Sequence, residues 1–263
     1  MRLLRTSHFG PTVIVTLVSV LLARSVSSSG KAFWIGLAVF AGQLCVGWTN
    51  DLVDMYSDRA EGRKGKPLAQ GLISPVYVAR ATYIALCLTI GLSLLGPFGL
   101  RGGLVHLLGV GCGVSYNFYF KRTLFSPLPY LIAFAALPSA ILISNNLVLP
   151  IWLVMAGALF GLAAHFANVV KDIDADRANE INGLPQILGA KVSLFIAGIS
   201  LIEIAVILGV VTKDNFVIPI SLVAFVGLFA LPRRYAFLLI MALAVFDVFA
   251  LVTLGGDFSF ARS

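Results

Sequence analysis

Long apolar runs recur along the whole chain, and the short segments between them carry most of its charge. Of the 263 residues, 59% are hydrophobic and only 12% are charged. A soluble domain of this length needs far more charged side chains to cover its surface. The runs approach the length that crosses a bilayer, and they contain the scattered Gly and Pro that membrane helices tolerate. The sequence therefore predicts an all-α, polytopic membrane protein.

Nine apolar segments are long enough to be read as transmembrane helices in a single domain that covers residues 1–263. No small-x-small cleavage pattern follows Leu22-Ala23-Arg24, so we expect the first segment to be retained rather than removed as a signal peptide. The predicted segments are 9–27, 33–52, 77–96, 103–120, 127–146, 149–170, 192–212, 215–231 and 235–254.

The basic residues predict an orientation. With a cytoplasmic N-terminus, 14 of the 19 Lys and Arg residues fall on the inner side, as the positive-inside rule requires. This distribution explains the net charge of +7 without a nucleic-acid partner, and the sequence indicates no obligate protein partner. We expect an integral, multi-pass protein of the plasma membrane. Its inner basic residues are Arg2, Arg5, Arg59, Arg63, Lys64, Lys66, Arg80, Lys121, Arg122, Lys171, Arg177, Lys191, Arg233 and Arg234.

The acidic residues are more uneven still, because eight of the 12 lie in two short segments, both on the predicted cytoplasmic side. We call the segment Asn50–Glu61 the first acidic segment and the segment Asn168–Glu180 the second. Their acids are Asp51, Asp54, Asp58 and Glu61 in the first, and Asp172, Asp174, Asp176 and Glu180 in the second.

A shift of 118 positions aligns the two acidic segments without a gap. Both follow the pattern N-x3-D-x3-D-R-x7-P-x3-G, so six identities are in register. Such a repeat predicts two related four-helix halves, approximately 1–125 and 126–233, followed by a last helix at 235–254. Internal repeats of this kind commonly build a site at their interface in membrane proteins.

Helical spacing predicts which of these side chains lie together. Residues four apart share a helix face, so Asn50, Asp54 and Asp58 would form one row. Asn168, Asp172 and Asp176 would form a second row if their helix continued through them, and Asp174 would then point away. Asp51 joins the first row because it lies three residues before Asp54.

Carboxylates packed this closely repel one another, and the nearby membrane raises the cost of keeping them charged. Mg²⁺ typically takes one or two carboxylates, keeps some water and completes its shell with substrate phosphate oxygens. Two such clusters facing each other would bracket one diphosphate. The alternative is that these are solvated loop charges, and for each basic residue orientation alone is an equal explanation. The basic residues within reach of the anion are Arg59, Arg63, Lys64, Lys66, Lys171 and Arg177.

The two segments resemble the signatures of a known family. Asn50–Asp58 resembles the NDxxDxxxD motif of UbiA-type intramembrane prenyltransferases, and Asp172–Asp176 resembles their DxxxD motif. The residues Gly183–Gly189 are similar to the segment that follows that motif, and the nine-helix count also resembles the family. One departure is Lys66, where many members have Arg, so the bidentate fork is lost there.

The resemblance implies Mg²⁺-dependent binding of a prenyl diphosphate by Asp51, Asp54, Asp58, Asp172 and Asp176. Within that set, it implies that the metal ligands are Asp54, Asp58, Asp172 and Asp176. It also implies that Asn50 and Asn168 line the polar end of the pocket.

Six further polar side chains lie inside predicted helices: Gln43, Tyr116, Asn117, His165, Glu203 and Asp247. Gln43 contacts the acceptor or serves as packing, and both interpretations are open. Tyr116 and Asn117 are placed to approach the pocket from the inner end of their helix. His165 either faces the chamber or is a satisfied structural imidazole. For Glu203 and Asp247 we expect interhelical hydrogen bonds.

The predicted reaction is transfer of the prenyl group to a lipophilic acceptor, with an aromatic, quinone-precursor-like acceptor favoured over a sugar or glycerol phosphate. Members of the family use a similar diphosphate site with each of these acceptors, so the sequence does not identify the acceptor. A divalent-cation transporter is the alternative from another class, although transporters usually carry their acids near the midplane. A transferase acting on CDP-alcohols ranks last, because its D-G-x2-A-R spacing is absent.

Overall fold

The computed structural model describes residues 2–7, 9–63, 65–178 and 180–254, so Met1, His8, Lys64, Asn179 and residues 255–263 lie outside the described part. All regular secondary structure within these ranges is helical. Two single 3-10 turns, Phe120–Arg122 and Arg233–Tyr235, accompany the α-helices. The α-helices are α1 (Arg2–Arg5), α2 (Phe9–Val26), α3 (Ser29–Ala60), α4 (Pro75–Leu94), α5 (Gly99–Phe118), α6 (Leu128–Ile143), α7 (Ile151–Val169), α8 (Ile173–Ala178), α9 (Leu184–Leu188), α10 (Ala190–Thr212), α11 (Val217–Ala230) and α12 (Ala236–Leu254).

The long helices include several that are suited to a bilayer. In the described ranges, six helices are long and apolar enough to cross a membrane, namely α2, α3, α4, α7, α10 and α12 with the turn before it. Helices α6 and α11 are apolar but shorter, and the glycine-rich α5 is not among the six. The prediction of several membrane-spanning helices is therefore confirmed by length and composition, and the count of nine spans stays a prediction.

Helices that follow one another along the chain also pack against one another. Helix α3 packs between α2 and α4 and also contacts α5, while α6, α7, α10 and α11 pack in sequence. The two groups meet where α5 packs on α6, and α12 packs against α2 and α7. This order is what two four-helix halves would produce, but duplication itself stays a prediction. The arrangement encloses a cavity between the groups.

Helix α3 extends farther than the sequence predicts. The predicted helix stops at residue 52, whereas α3 continues to Ala60. It ends where Gly62 adopts a positive φ of 63°, with the Glu61 N–H donating to the carbonyl of Ser57 and the Gly62 N–H to that of Arg59. Asn50, Asp54 and Asp58 therefore lie on one continuous helix, as the spacing argument requires.

The second acidic segment departs from that pattern. Helix α7 ends at Val169, and Asp172 lies in a turn before α8 begins at Ile173. The Asp172 N–H donates to the carbonyl of Val169 at 2.9 Å, three residues back instead of four. The prediction that one helix continues through Asn168, Asp172 and Asp176 is therefore wrong, because this tighter turn interrupts it. Helical bonding resumes between Asp176 and Asp172 at 2.8 Å.

Glycines allow α6 and α7 to approach closely beside the cavity. A methyl group built on Gly161 of α7 would overlap the carbonyl oxygen of Tyr130 on α6, and one on Gly157 would lie 2.7 Å from that of Phe134. Small residues at such positions let membrane helices pack through their backbones. The position of Tyr130 at the cavity thus depends on Gly161.

We predict that Gly161→Ala destabilises the protein by about 1–3 kcal/mol, because the new methyl group forces α6 away from α7. Thermal unfolding in detergent measures the loss. The matched control is Gly111→Ala on α5, where the methyl group meets no atom within 4 Å and helix propensity favours Ala. Equal Tm values for the two variants would contradict this account of the interface.

Candidate active site

The two acidic segments meet at one end of the bundle through a single arginine. The guanidinium of Arg63 places Nε 3.4 Å from Oδ1 of Asp58 and Nη2 3.3 Å from Oδ1 of Asp172. The same Nε donates to Oε2 of Glu61 at 2.7 Å. One side chain thus contacts a carboxylate from each segment. The two clusters share one compartment, which is the condition for holding a common anion.

Lys66 neutralises the most buried carboxylates of α3. Its Nζ lies 2.6 Å from Oδ1 of Asp51 and 3.2 Å from Oδ2 of Asp58. These aspartates are seven residues apart, so they lie on one face of α3, and Asp51 is only 2% exposed. Burial lowers the pKa of Lys66, but attraction to Asp51 and Asp58 outweighs that effect and holds it above its usual value. Lys66 therefore remains charged.

Asp54 belongs to a separate polar network. Lys121, in the 3-10 turn after α5, forms an ion pair with Oδ1 of Asp54. The Asn50 amide donates to Oδ2 of Asp54 at 3.2 Å and to Oδ1 of Asn117 at 3.1 Å. Asn117 in turn donates to the carbonyl of Val46 at 3.1 Å. The network fixes Asn50 and Asp54 against α5. Sequence reasoning counts Lys121 only as an orientation residue, because no spacing links it to either acidic segment.

The second acidic segment is held by the residues that follow it. Gln186 donates its amide to Oδ2 of Asp176 at 2.7 Å, and Nε of Arg177 donates to the carbonyl of Gln186 at 2.7 Å. Burial raises the pKa of Asp176, with the hydrogen bond from Gln186 opposing it. Gln186 is a site residue that the sequence does not single out. Asp174 lies outside this network. Its side chain is 85% exposed, and its Oδ2 lies 3.6 Å from Nη1 of Arg233.

Among the predicted basic residues, two contact the aspartates, two bind backbone carbonyls and one is exposed. Arg63 and Lys66 contact the aspartates, whereas Arg59 donates through Nε to the carbonyl of Ala69 at 3.0 Å, much as Arg177 does to Gln186. The paired arginines of the repeat therefore each fasten the loop that follows their own segment. Lys171 is exposed.

A cavity of about 300 Å³ extends from the asparagines into the bundle. Asn50 and Asn168, each four residues before an aspartate, line its polar end, together with Tyr116, Asn117 and Tyr130. Gln43 lies two helical turns from Asn50 on α3 and also lines it. The remaining lining is mainly apolar. The cavity is therefore an apolar chamber whose polar end is marked by the two asparagines that precede the aspartates.

An aromatic wall closes the polar end on one side. The ring of Tyr116 packs edge-on against that of Tyr130 with centroids 5.0 Å apart, and Asn168 donates to the Tyr130 hydroxyl at 3.4 Å. His165 lies behind both rings, fully buried, with Nε2 3.1 Å from Oγ of Ser126. It does not line the cavity. This favours a structural role for His165, but the imidazole is only half satisfied, since Nδ1 has no hydrogen-bond partner among the described residues.

The two acids inside predicted membrane helices make no interhelical hydrogen bond with a described residue. Glu203 is exposed on α10. Asp247 on α12 is 1% exposed, and neither of its carboxyl oxygens has a hydrogen-bond partner among the described residues. Among the described residues, the prediction of an interhelical hydrogen bond is therefore wrong for Asp247. Nothing in the sequence distinguishes a bonded acid from an unbonded one at such a position.

The donor set suits a metal ion whose shell the substrate completes. Within the described ranges, no three Asp, Glu, His or Cys side chains converge as ligands of one ion. The groups available at the acidic segments are carboxylate oxygens, and Arg63, Lys66 and Lys121 compensate part of their charge. Mg²⁺ prefers oxygen ligands and needs only one or two carboxylates when phosphate oxygens and water supply the rest. The residues therefore fit Mg²⁺ bound together with a diphosphate.

The fold and the paired acidic segments define a class, that of helical membrane proteins with a polar site at one end of an apolar cavity. The model of the UbiA prenyltransferase family matches residues 12–257. The chain therefore belongs to the UbiA prenyltransferase family and is a prenyltransferase. A search of curated protein sequences found no significant match.

Solved structures share the fold at low sequence identity. A UbiA homologue from Archaeoglobus fulgidus bound to GPP and Mg²⁺ superposes with a TM-score of 0.73 at 17% identity, covering 96% of this chain and all of the homologue. An apo UbiA homologue from Aeropyrum pernix K1 gives 0.70 at 16% identity, covering 92% and 96%. A digeranylgeranylglyceryl phosphate synthase gives 0.65 at 16% identity, covering 98% of each chain.

We predict that Lys66→Met lowers the free energy of unfolding by about 2 kcal/mol, because Asp51 and Asp58 lose their shared cation in a poorly hydrated site. The protein is measured by thermal unfolding in detergent without Mg²⁺. Lys171→Met serves as the control, since Lys171 is exposed, and its Tm should stay near that of the wild type. A loss for Lys171→Met as large as that for Lys66→Met would contradict the pairing.

Proposed function

We propose that this protein catalyses Mg²⁺-dependent transfer of a prenyl group from an allylic prenyl diphosphate to a lipophilic acceptor. The observation that carries the proposal is the bridge from Asp58 through Arg63 to Asp172, beside an apolar cavity whose polar end is lined by Asn50 and Asn168. That arrangement would put an anion site at the acidic segments next to a hydrocarbon site in the cavity.

The diphosphate end is assigned to both acidic segments. Asp51 orients Lys66, and the proposed metal ligands are Asp54, Asp58, Asp172 and Asp176. Bound Mg²⁺ would neutralise the charge that builds up on the diphosphate as it leaves. The related Archaeoglobus fulgidus structure with GPP and Mg²⁺ supports this assignment, since it shares the fold.

The cations of the chain would complete the charge balance. Arg63, Lys66 and Lys121 already lie against carboxylates, so phosphate oxygens that arrive there meet side chains held in place. Arg59, Arg177 and Lys171 add positive charge near the same end. As the allylic C–O bond breaks, its electron pair passes to the diphosphate oxygen, where these cations stabilise it.

The apolar lining protects the allylic cation from water until the acceptor attacks. A nucleophilic atom of the acceptor forms the bond to C1 of the prenyl group and then loses a proton. Tyr116 and Tyr130 present aromatic rings at the polar end, which favours an aromatic, quinone-precursor-like acceptor. Gln43 lies on the same cavity wall, where its amide would bind a polar group of the acceptor. Transfer to glycerol phosphate or a sugar is the alternative. It is supported by the fold that the chain shares with a digeranylgeranylglyceryl phosphate synthase.

We place the enzyme in the plasma membrane, as one domain of two four-helix halves and a last helix. The excess of basic residues on one side supports a cytoplasmic N-terminus and cytoplasmic acidic segments. The water-soluble diphosphate would then approach from the cytoplasm, while the prenyl tail and the acceptor enter from the lipid.

The test incubates purified protein with Mg²⁺, labelled prenyl diphosphates and a membrane lipid extract, and identifies the product by mass. We expect a prenylated lipophilic compound and release of diphosphate, both dependent on Mg²⁺. Uptake of Mg²⁺ into proteoliposomes without any prenylated product would instead support the transporter.

We predict that Asp54→Ala and Asp172→Ala each reduce kcat at least 100-fold, because each removes a carboxylate from the diphosphate end while the bundle stays folded. Turnover of a labelled prenyl diphosphate measures the loss. Asp174→Ala is the control, because Asp174 is exposed, and it should retain activity within a few-fold of the wild type. Equal losses at Asp172 and Asp174 would contradict the assignment.

We predict that Lys121→Met raises the KM for the prenyl diphosphate about 10- to 100-fold, as expected when one charged hydrogen bond to a phosphate is lost. The neighbouring Arg122→Met is the control, since Arg122 is exposed and the structure gives it no contact with a carboxylate among the described residues. A shift of the same size for both variants would show a general charge effect and remove Lys121 from the site.

A further inference from the structure

Asp247 is a buried acid that the diphosphate chemistry does not use. It lies on α12, eleven residues after Ala236, which is about 16 Å along the helix from the end nearest Arg233. Its side chain lines the cavity, yet it is 1% exposed and both oxygens lack a hydrogen-bond partner among the described residues. An unpaired carboxyl group therefore lies in the wall of this cavity.

Most of the residues that line the cavity with Asp247 are apolar. Leu153, Ile204, Leu208 and Leu251 all line the same chamber and belong to one buried cluster. Leaving a buried carboxyl group without a partner costs about 1–3 kcal/mol, so Asp247 weakens the fold unless a ligand satisfies it. Stability sacrificed inside a binding cavity is typical of a functional residue.

The chemistry of the two substrates identifies the partner. A prenyl chain is a hydrocarbon and offers no hydrogen-bond donor, so it leaves the carboxyl group unsatisfied. An acceptor that carries an O–H or N–H group satisfies it, since a carboxyl oxygen accepts a hydrogen bond whether or not the group is ionised. Discrimination by such a buried polar group is strong, because a ligand that lacks the donor leaves it unpaired.

We propose that Asp247 is an acceptor-binding residue that accepts a hydrogen bond from a hydroxyl or amino group of the acceptor, deep in the cavity. This inference rests on the proposed function, which supplies the two substrates. It restricts the acceptor to amphipathic molecules whose hydrogen-bond donor reaches beyond the aromatic wall. Asp247 would then be a determinant of acceptor specificity.

The test compares two probes of the same hydrocarbon, 4-pentylphenol and pentylbenzene, by isothermal titration calorimetry on the full-length protein in detergent. The wild type should bind the phenol about tenfold more tightly after correction for partition into micelles. Asp247→Leu and Asp247→Ala should both lose that preference, and Asp247→Asn, which keeps an acceptor oxygen, should retain most of it. Glu203→Leu is the matched control, because Glu203 is an exposed acid outside the cavity, and it should preserve the wild-type ratio.

Unchanged phenol preference in Asp247→Leu, or no preference in the wild type, overturns the inference. The Tm of Asp247→Leu should equal or exceed that of the wild type, and a fall of several degrees would show that the acid supports the fold instead. Binding of geranyl diphosphate with Mg²⁺ by the wild type is measured in parallel. Its absence would remove the proposed function while leaving the phenol preference standing, whereas its presence without a preference would remove only the role of Asp247.

Discussion

Charge compensation at the end of an apolar bundle is the constraint on which the rest of this structure depends. Carboxylates near a membrane are costly unless a cation offsets them, and here lysine and arginine side chains do so at short range. Lys66 pairs with Asp51 and Asp58, and Lys121 pairs with Asp54. The same cations that keep the acids charged would also attract a diphosphate. Stability and the proposed diphosphate binding would therefore depend on one set of contacts.

The apolar cavity and the charged end depend on each other. The polar end is formed by the last turns of α3 and α7, where Asn50 and Asn168 mark the change from hydrocarbon lining to carboxylates. A prenyl diphosphate has this same division between an apolar tail and an anionic head. This division would suit the proposed substrate, and it arises because membrane helices are apolar along their length and polar only where they leave the bilayer.

The sequence predicts side chains that share one face of a helix, but it does not predict contacts between different helices. The spacing of Asn50 and Asp54 on α3 was sufficient to predict their common face, and hydropathy was sufficient to predict a helical membrane bundle. The tight turn at Asp172 was missed because the repeat suggested a helix equivalent to α3. Lys121 and Gln186 were missed because their partners are distant in sequence and only the fold brings them together.

The central claim is that both acidic segments hold one diphosphate. The most direct measurement is the stoichiometry of geranyl diphosphate binding with Mg²⁺, by isothermal titration calorimetry on the wild type, Asp58→Ala and Asp176→Ala. The account predicts one molecule per chain for the wild type and loss of that entire site in each variant. Two molecules per chain, with one site surviving in each variant, would show that the segments act separately and would contradict it.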